Sequence, residues 1–151
     1  MNIKSFINAF EETPDVTVAA KPTCPKDFDL HERIFPKPCH IDGCTHVFSF
    51  NNSISDIGIR RDGIVIFANS YHEESGYFTL GDLLDAYNSQ ISDADNVFHL
   101  TGLSLRPFKS KKSAIFKYHP ELLSRNVKSI EYDDGVICVD LNADIDIIIS
   151  L

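Results

Sequence analysis

The chain has 151 residues, 43% of them apolar, which by size scaling suits one domain that buries about two-thirds of its unfolded surface without disulfide or metal staples. Twenty-two acidic side chains against 14 basic ones leave a net charge of −8, a field that opposes phosphate backbones and anionic lipid and draws basic partners inward. Nucleic acid is therefore a disfavoured partner, and no apolar run approaches the roughly 18 residues a membrane helix needs.

Met1-Asn2-Ile3-Lys4 leads straight into an amphipathic pattern with no apolar signal stretch, so the expectation is a soluble, cytoplasmic protein. Ile3, Phe6, Ile7 and Phe10 recur at the spacing that forms one stripe on a short helix, and Thr13-Pro14 ends it. Five prolines between Pro14 and Pro38 predict a long extended connection over about 14–44. Three strands are expected next, at His46 to Phe50, Ile54 to Arg60 and Ile64 to Ala68, joined as an antiparallel meander by turns at Asn51-Asn52 and Asp62-Gly63. Thr79 and Asp82 have the form of a capping box, and Leu80, Leu83, Leu84, Tyr87 and Ile91 continue as a helical stripe. A strand over Val97 to Leu105, interrupted at Gly102, precedes an ambiguous stretch, Ile115 to Leu123, where Pro120 can open a helix of one to two turns. Strands Lys128 to Tyr132 and Val136 to Leu141 flank Asp133-Asp134-Gly135, a strong hairpin signal, and Ile145 to Leu151 can add an edge strand. No internal repeat is visible.

Cysteine and histidine crowd together at Cys39, His40, Cys44 and His46. Thiolate plus imidazole is the set zinc prefers, and Cys39, Cys44 and His46 with His40 or Cys24 form a candidate quartet, although paired Cys-x₂-Cys knuckles are absent. Zinc is the one cofactor these residues suggest; packing or solvation of the same side chains is the commoner outcome. In a reducing compartment the four cysteines read as thiols or ligands rather than disulfides, with Cys138, alone in an apolar run, read as core. A nucleoside-deaminase site is excluded, since that chemistry wants His-x-Glu and Pro-Cys-x-x-Cys. Cys39 or Cys44 beside a histidine is a conceivable nucleophile, but spacing alone does not show the proximity.

His99-Leu100-Thr101 resembles the His-x-Thr motif of the two-histidine phosphoesterases over three residues. That resemblance implies paired imidazoles acting as acid and base on a phosphodiester, with His46 as the partner of His99 and Thr101. Phe48 stands where the second motif needs its hydroxyl. Arg106, Lys109, Lys111, Lys112 and Lys117, interleaved with Phe108, Phe116 and Tyr118, form one basic stretch, which could hold a phosphorylated strand but reads more simply as solvated surface. Asp133, Asp134, Asp140, Asp144 and Asp146 gather toward the C-terminal end and are the expected binding patch.

The expected fold is α+β, a mainly antiparallel sheet (meander plus C-terminal hairpin) with two to three helices packed on it. Lacking a complete catalytic constellation, the chain is expected to act as a small acidic protein-binding module, an inhibitor, immunity protein or adaptor for a basic macromolecular partner. A histidine-dependent hydrolase or a zinc-containing domain is the alternative.

Overall fold

The computed structural model describes residues 1–20, 39–40, 52–71, 77–102 and 104–142. Helix α1 (Ile3–Asn8) starts at Asn2, whose side chain accepts the Ser5 amide at 2.8 Å, and its apolar stripe buries Ile3, Phe6 and, just beyond the helix, Phe10. Helix α2 (Leu80–Ala86) carries the capping box expected at its start, with Thr79 and Asp82 bonding reciprocally. It stops earlier than its periodicity predicts. Tyr87 takes extended backbone, and Asn88 recaps a short 3₁₀ turn over Ser89–Ile91. Tertiary demand overrides helical propensity here, because the Asn88 amide donates to the Ile57 carbonyl at 2.9 Å. Helix α3 (Lys112–Tyr118) and a 3₁₀ turn over Pro120–Leu122 fill the ambiguous stretch.

The fold is α+β, as expected, but its strands form two four-stranded sheets rather than one. The first contains β1 (Val16–Ala20), β2 (Cys39–His40), β3 (Asn52–Arg60) and β4 (Gly63–Tyr71) in the order β2-β1-β4-β3. The second contains β5 (Val97–Gly102), β6 (Leu105–Lys111), β7 (Val127–Asp133) and β8 (Val136–Leu141) in the order β6-β5-β8-β7. Neighbours are mostly antiparallel, yet the central pair of each sheet, β1 with β4 and β5 with β8, is parallel. The first expected meander strand, His46 to Phe50, and the tail from Ile145 lie outside the described residues.

The same plan occurs twice. Asn2 and Thr79, the N-caps of α1 and α2, bridge to Ser53 at the start of β3 and to Asn126 just before β7. Phe10 and Tyr87, just past the two helices, each bridge to the hairpin of the opposite half, at Ile130 and Ile57. Both hairpins even share their irregularity: the shift between Ile54 and Asp56 against β4 recurs between Val127 and Ser129 against β8. A structural repeat that the sequence does not reveal therefore organises the chain. The two hairpin turns meet, with the Tyr132 hydroxyl donating to the Arg60 carbonyl, and the Asn96 side-chain amide, just before β5, donates to the Gly135 carbonyl at 3.1 Å.

One core cluster takes Val16, Val18, Ile64 and Ile66 from the first sheet, Phe98, Leu100, Ile137 and Val139 from the second, and the stripes of α1 and α2. Alternation along the strands puts these residues inward and their neighbours outward. The outer face of the first sheet is covered too, with Ile91 packed on Ala19 and Phe67. The outer face of the second sheet presents His99, Thr101, Cys138 and Asp140, all half-buried. Cys138 is thus not the core residue its apolar neighbours suggest, because alternation turns it away from Ile137 and Val139.

Candidate functional site: an acidic sheet edge

The β7–β8 hairpin closes on Asp133 opposite Val136, with Asp134 and Gly135 both at positive φ (48° and 88°) between them. Such a two-residue turn makes Asp133 and Glu131 pair with β8, and points the amides and carbonyls of Ile130 and Tyr132 toward the open side of the strand. Ile130 is engaged there by the chain leaving α1. Its amide donates to the Ala9 carbonyl at 2.8 Å and its carbonyl accepts the Glu11 amide at 3.4 Å. That pairing lays Glu11 and Glu12 alongside Glu131 and Asp133, and the four carboxylates with Tyr132 line a cleft of about 290 Å³. None of the four is in an ion pair among the described residues.

Asp134 extends this acidic end, and Asp62 joins it from the other hairpin. Burial, reinforced more weakly by the Asp62 and Asp134 carboxylates, raises the Tyr132 phenol above its ordinary value against the opposing pull of backbone hydrogen bonds. A smaller cleft of about 160 Å³ lies among Asp15, Thr17, Arg60 and Asp62; its Arg60 is partly neutralising, and the Arg60 Nε donates to the Ile91 carbonyl at 2.8 Å.

The expected aspartate patch is divided by the fold. Asp133 and Asp134 sit at the turn, whereas Asp140 pairs with Ser129 toward the far end of β8 and accepts a hydrogen bond from Thr101 Oγ1 at 3.1 Å. Asp144 and Asp146 lie outside the described residues. Glu11, Glu12 and Glu131, none of them expected at the site, take the place of Asp140. Glu131 was legible as the partner of Asp133 two positions away on a strand. Glu11 and Glu12 were not, because only the crossing of one repeat onto the other brings them there.

His99 and Thr101 share the outer face of the second sheet, in register with Lys109, Cys138 and Asp140 on the strands beside them. The other histidine whose side chain is described, His119, stacks on Phe108 at 4.6 Å and approaches Glu121 at 3.8 Å. Phe108 faces the core opposite Leu100, so His119 lies across the sheet from His99 and the two imidazoles do not share a site. His46 falls outside the described residues. The Cys138 thiol is raised chiefly by burial and then by Glu131, with Lys109 pulling the other way, which keeps it protonated rather than activated.

Of the candidate zinc ligands, Cys24, Cys44 and His46 lie outside the described residues, and Cys39 and His40 are placed only as the backbone of β2. Among the described residues no cluster of three metal-binding side chains occurs. The basic stretch becomes β6 and α3: Lys111 pairs with Asp95 at 3.7 Å, Lys112 donates to the Tyr87 carbonyl at 3.1 Å, and Lys117 lies 5.1 Å from the Tyr118 ring centre. No helix among the described residues is long and apolar enough to cross a membrane. Comparison with protein-family models, curated proteins and solved structures finds no match to this chain.

Proposed function

We propose that this protein is a binding module, of the inhibitor, immunity-protein or adaptor kind, that engages a basic macromolecular partner through its acidic end. The observation that carries this reading is the convergence of Glu11, Glu12, Glu131 and Asp133 on one cleft without an ion-paired cation among the described residues. Holding four like charges together is unfavourable in the isolated protein, and a cationic partner relieves that repulsion on binding. With a net charge of −8, the long-range field adds to the local one and speeds encounter.

The test is capture of a partner from native cell extract, followed by association kinetics across a salt series with the wild type and with Glu131→Lys/Asp133→Lys. Both substitutions sit on exposed strand positions, whereas Asp134 holds a left-handed backbone (φ 48°) that lysine adopts less readily. The expected result is association that slows with salt and is slower still in the double variant, by about tenfold at low salt. Salt-independent association, unchanged by the two lysines, removes the acidic end from the mechanism.

A further inference from the structure

The two repeats present the same backbone groups on the outer side of β3 and β7 and treat them differently. On β3 each is bonded to the segment that follows α2. Asn88 donates to the Ile57 carbonyl at 2.9 Å, the Ile59 amide to Ser92 Oγ at 3.0 Å, Asp93 to the Ile59 carbonyl at 3.3 Å, and the Arg61 amide to Asp93 Oδ2 at 2.5 Å. Ile91 then packs over Ala19 and Phe67, and Gly58 leaves the room its carbonyl needs.

On β7 the counterparts of Ile57, Ile59 and Arg61 are Ile130, Tyr132 and Asp134. The first is matched, by Glu11 at 3.4 Å, and there the correspondence ends. The chain after Glu12 proceeds to β1, and the amide and carbonyl of Tyr132 and the amide of Asp134 have no hydrogen-bond partner among the described residues. The residues equivalent to Ala19, Gly58 and Phe67 are Thr101, Glu131 and Asp140, so the face that is apolar and covered in one repeat is polar and acidic in the other.

We propose, building on the reading of the acidic end as a partner-binding surface, that the open edge of β7 takes an extended basic segment of the partner by antiparallel strand addition, so that the residue directly opposite Tyr132 exchanges both main-chain bonds with it. The chain itself shows that this edge is satisfied from outside the sheet, since Asn88–Asp93 engages the equivalent groups of β3, there through a 3₁₀ turn with two main-chain bonds and two side-chain oxygens. Main-chain bonds to Tyr132 provide affinity, and alternate side chains provide specificity. A residue opposite Tyr132 shares its inward-leaning face and is apolar; its two neighbours share the outward face of Glu131 and Asp133 and are Lys or Arg. A second copy fits poorly: two β7 edges side by side set Glu131 and Asp133 against their own kind, and the edge of β6 is interrupted by Pro107, which has no amide to offer.

The experiment titrates the ¹⁵N-labelled full chain with a capped peptide of alternating lysine and valine, following amide exchange at Tyr132 and Asp134. Two further peptides carry N-methyl groups, one on the valines and one on the lysines, with charge unchanged. The expected result is that the parent and lysine-methylated peptides slow exchange at Tyr132, while the valine-methylated peptide binds about tenfold more weakly and leaves it fast. Equal binding of all three with Tyr132 still fast overturns strand addition and leaves the acidic end as an electrostatic docking surface. Failure of every peptide to bind also overturns it, with the carboxylates left as guards against edge pairing and partner capture deciding the wider reading separately. Concentration-dependent protection of Tyr132 without peptide overturns it in favour of a second copy.

Discussion

Gly58 and Glu131 hold the same position in the two repeats, and the difference between them decides which face of each sheet is covered. A Cβ on Gly58 would lie 2.4 Å from the Ile91 carbonyl oxygen and 2.9 Å from its Cγ1. The carbonyl belongs to a turn already bonded to Arg60, so it has little room to move. Gly58→Ala is therefore expected to destabilise the fold by about 1–3 kcal/mol, read as a lower urea midpoint, with faster amide exchange in residues 88–93. Tyr87 offers a second residue-scale test. Its hydroxyl donates within a network of Ala94 and Asn96, at 3.0 and 2.6 Å, and also accepts the Asn96 amide at 2.7 Å. Burial is the main cause that raises its phenol, against the lowering effect of the Asn96 and Ser92 hydrogen bonds. Because the folded value exceeds the unfolded one, the contribution is complete below the unfolded phenol range and is lost as pH climbs through the folded value. Stability should fall on the alkaline side, and Tyr87→Phe should flatten that fall in a pH series of thermal melts.

Elements with strong local signals were legible in the sequence, and those defined by distant pairing were not. The Thr79–Asp82 box and the apolar stripe located α2, and the Asp134-Gly135 turn located the last hairpin, since each is set by residues within one or two turns of chain. Leu84 is fully buried in the common core; Leu84→Ala is expected to cost about 2–5 kcal/mol and Thr79→Ala about 0.5–2 kcal/mol, both measured by denaturant titration. Strand β1 carries no such local signal, because its five residues sit inside the proline-rich stretch and owe their conformation to β4, to which Val16 through Ala20 pair in register. The expected turn at Asp62-Gly63 is shifted by one: Arg61 and Asp62 make the loop, and Gly63 opens β4 at φ 147°, pressed against the Asp15 carbonyl. Only glycine's missing side chain permits that approach.

At the scale of the molecule, the repeat was hidden because it is written in geometry rather than in residue identity. Ile57 matches Ile130 and Ile64 matches Ile137, but Ala68 faces Leu141 and the loop Arg61-Asp62 faces Asp134-Gly135. Apolar character and hairpin register suffice to rebuild a sheet, and they leave exposed positions free to diverge. The candidate site was half legible for the same reason: Asp133 and Asp134 announce themselves beside a turn, whereas Glu11 and Glu12 acquire meaning only when the end of α1 crosses to β7. The parallel central pairs have a kinetic consequence. Val16 must find Ile64, and Phe98 must find Ile137, so each sheet closes a loop of roughly 40 to 50 residues before its middle is paired, an entropic search that precedes its reward. The β3–β4 and β7–β8 hairpins involve no such search. Stopped-flow refolding is expected to be slow, on the order of milliseconds to seconds rather than microseconds, with local hairpin amides protected ahead of those in β1 and β5. Until that closure each half exposes the unpaired side of its second hairpin strand, and it is in this interval, before the middle strands arrive, that the chain is most open to pairing with the wrong neighbour.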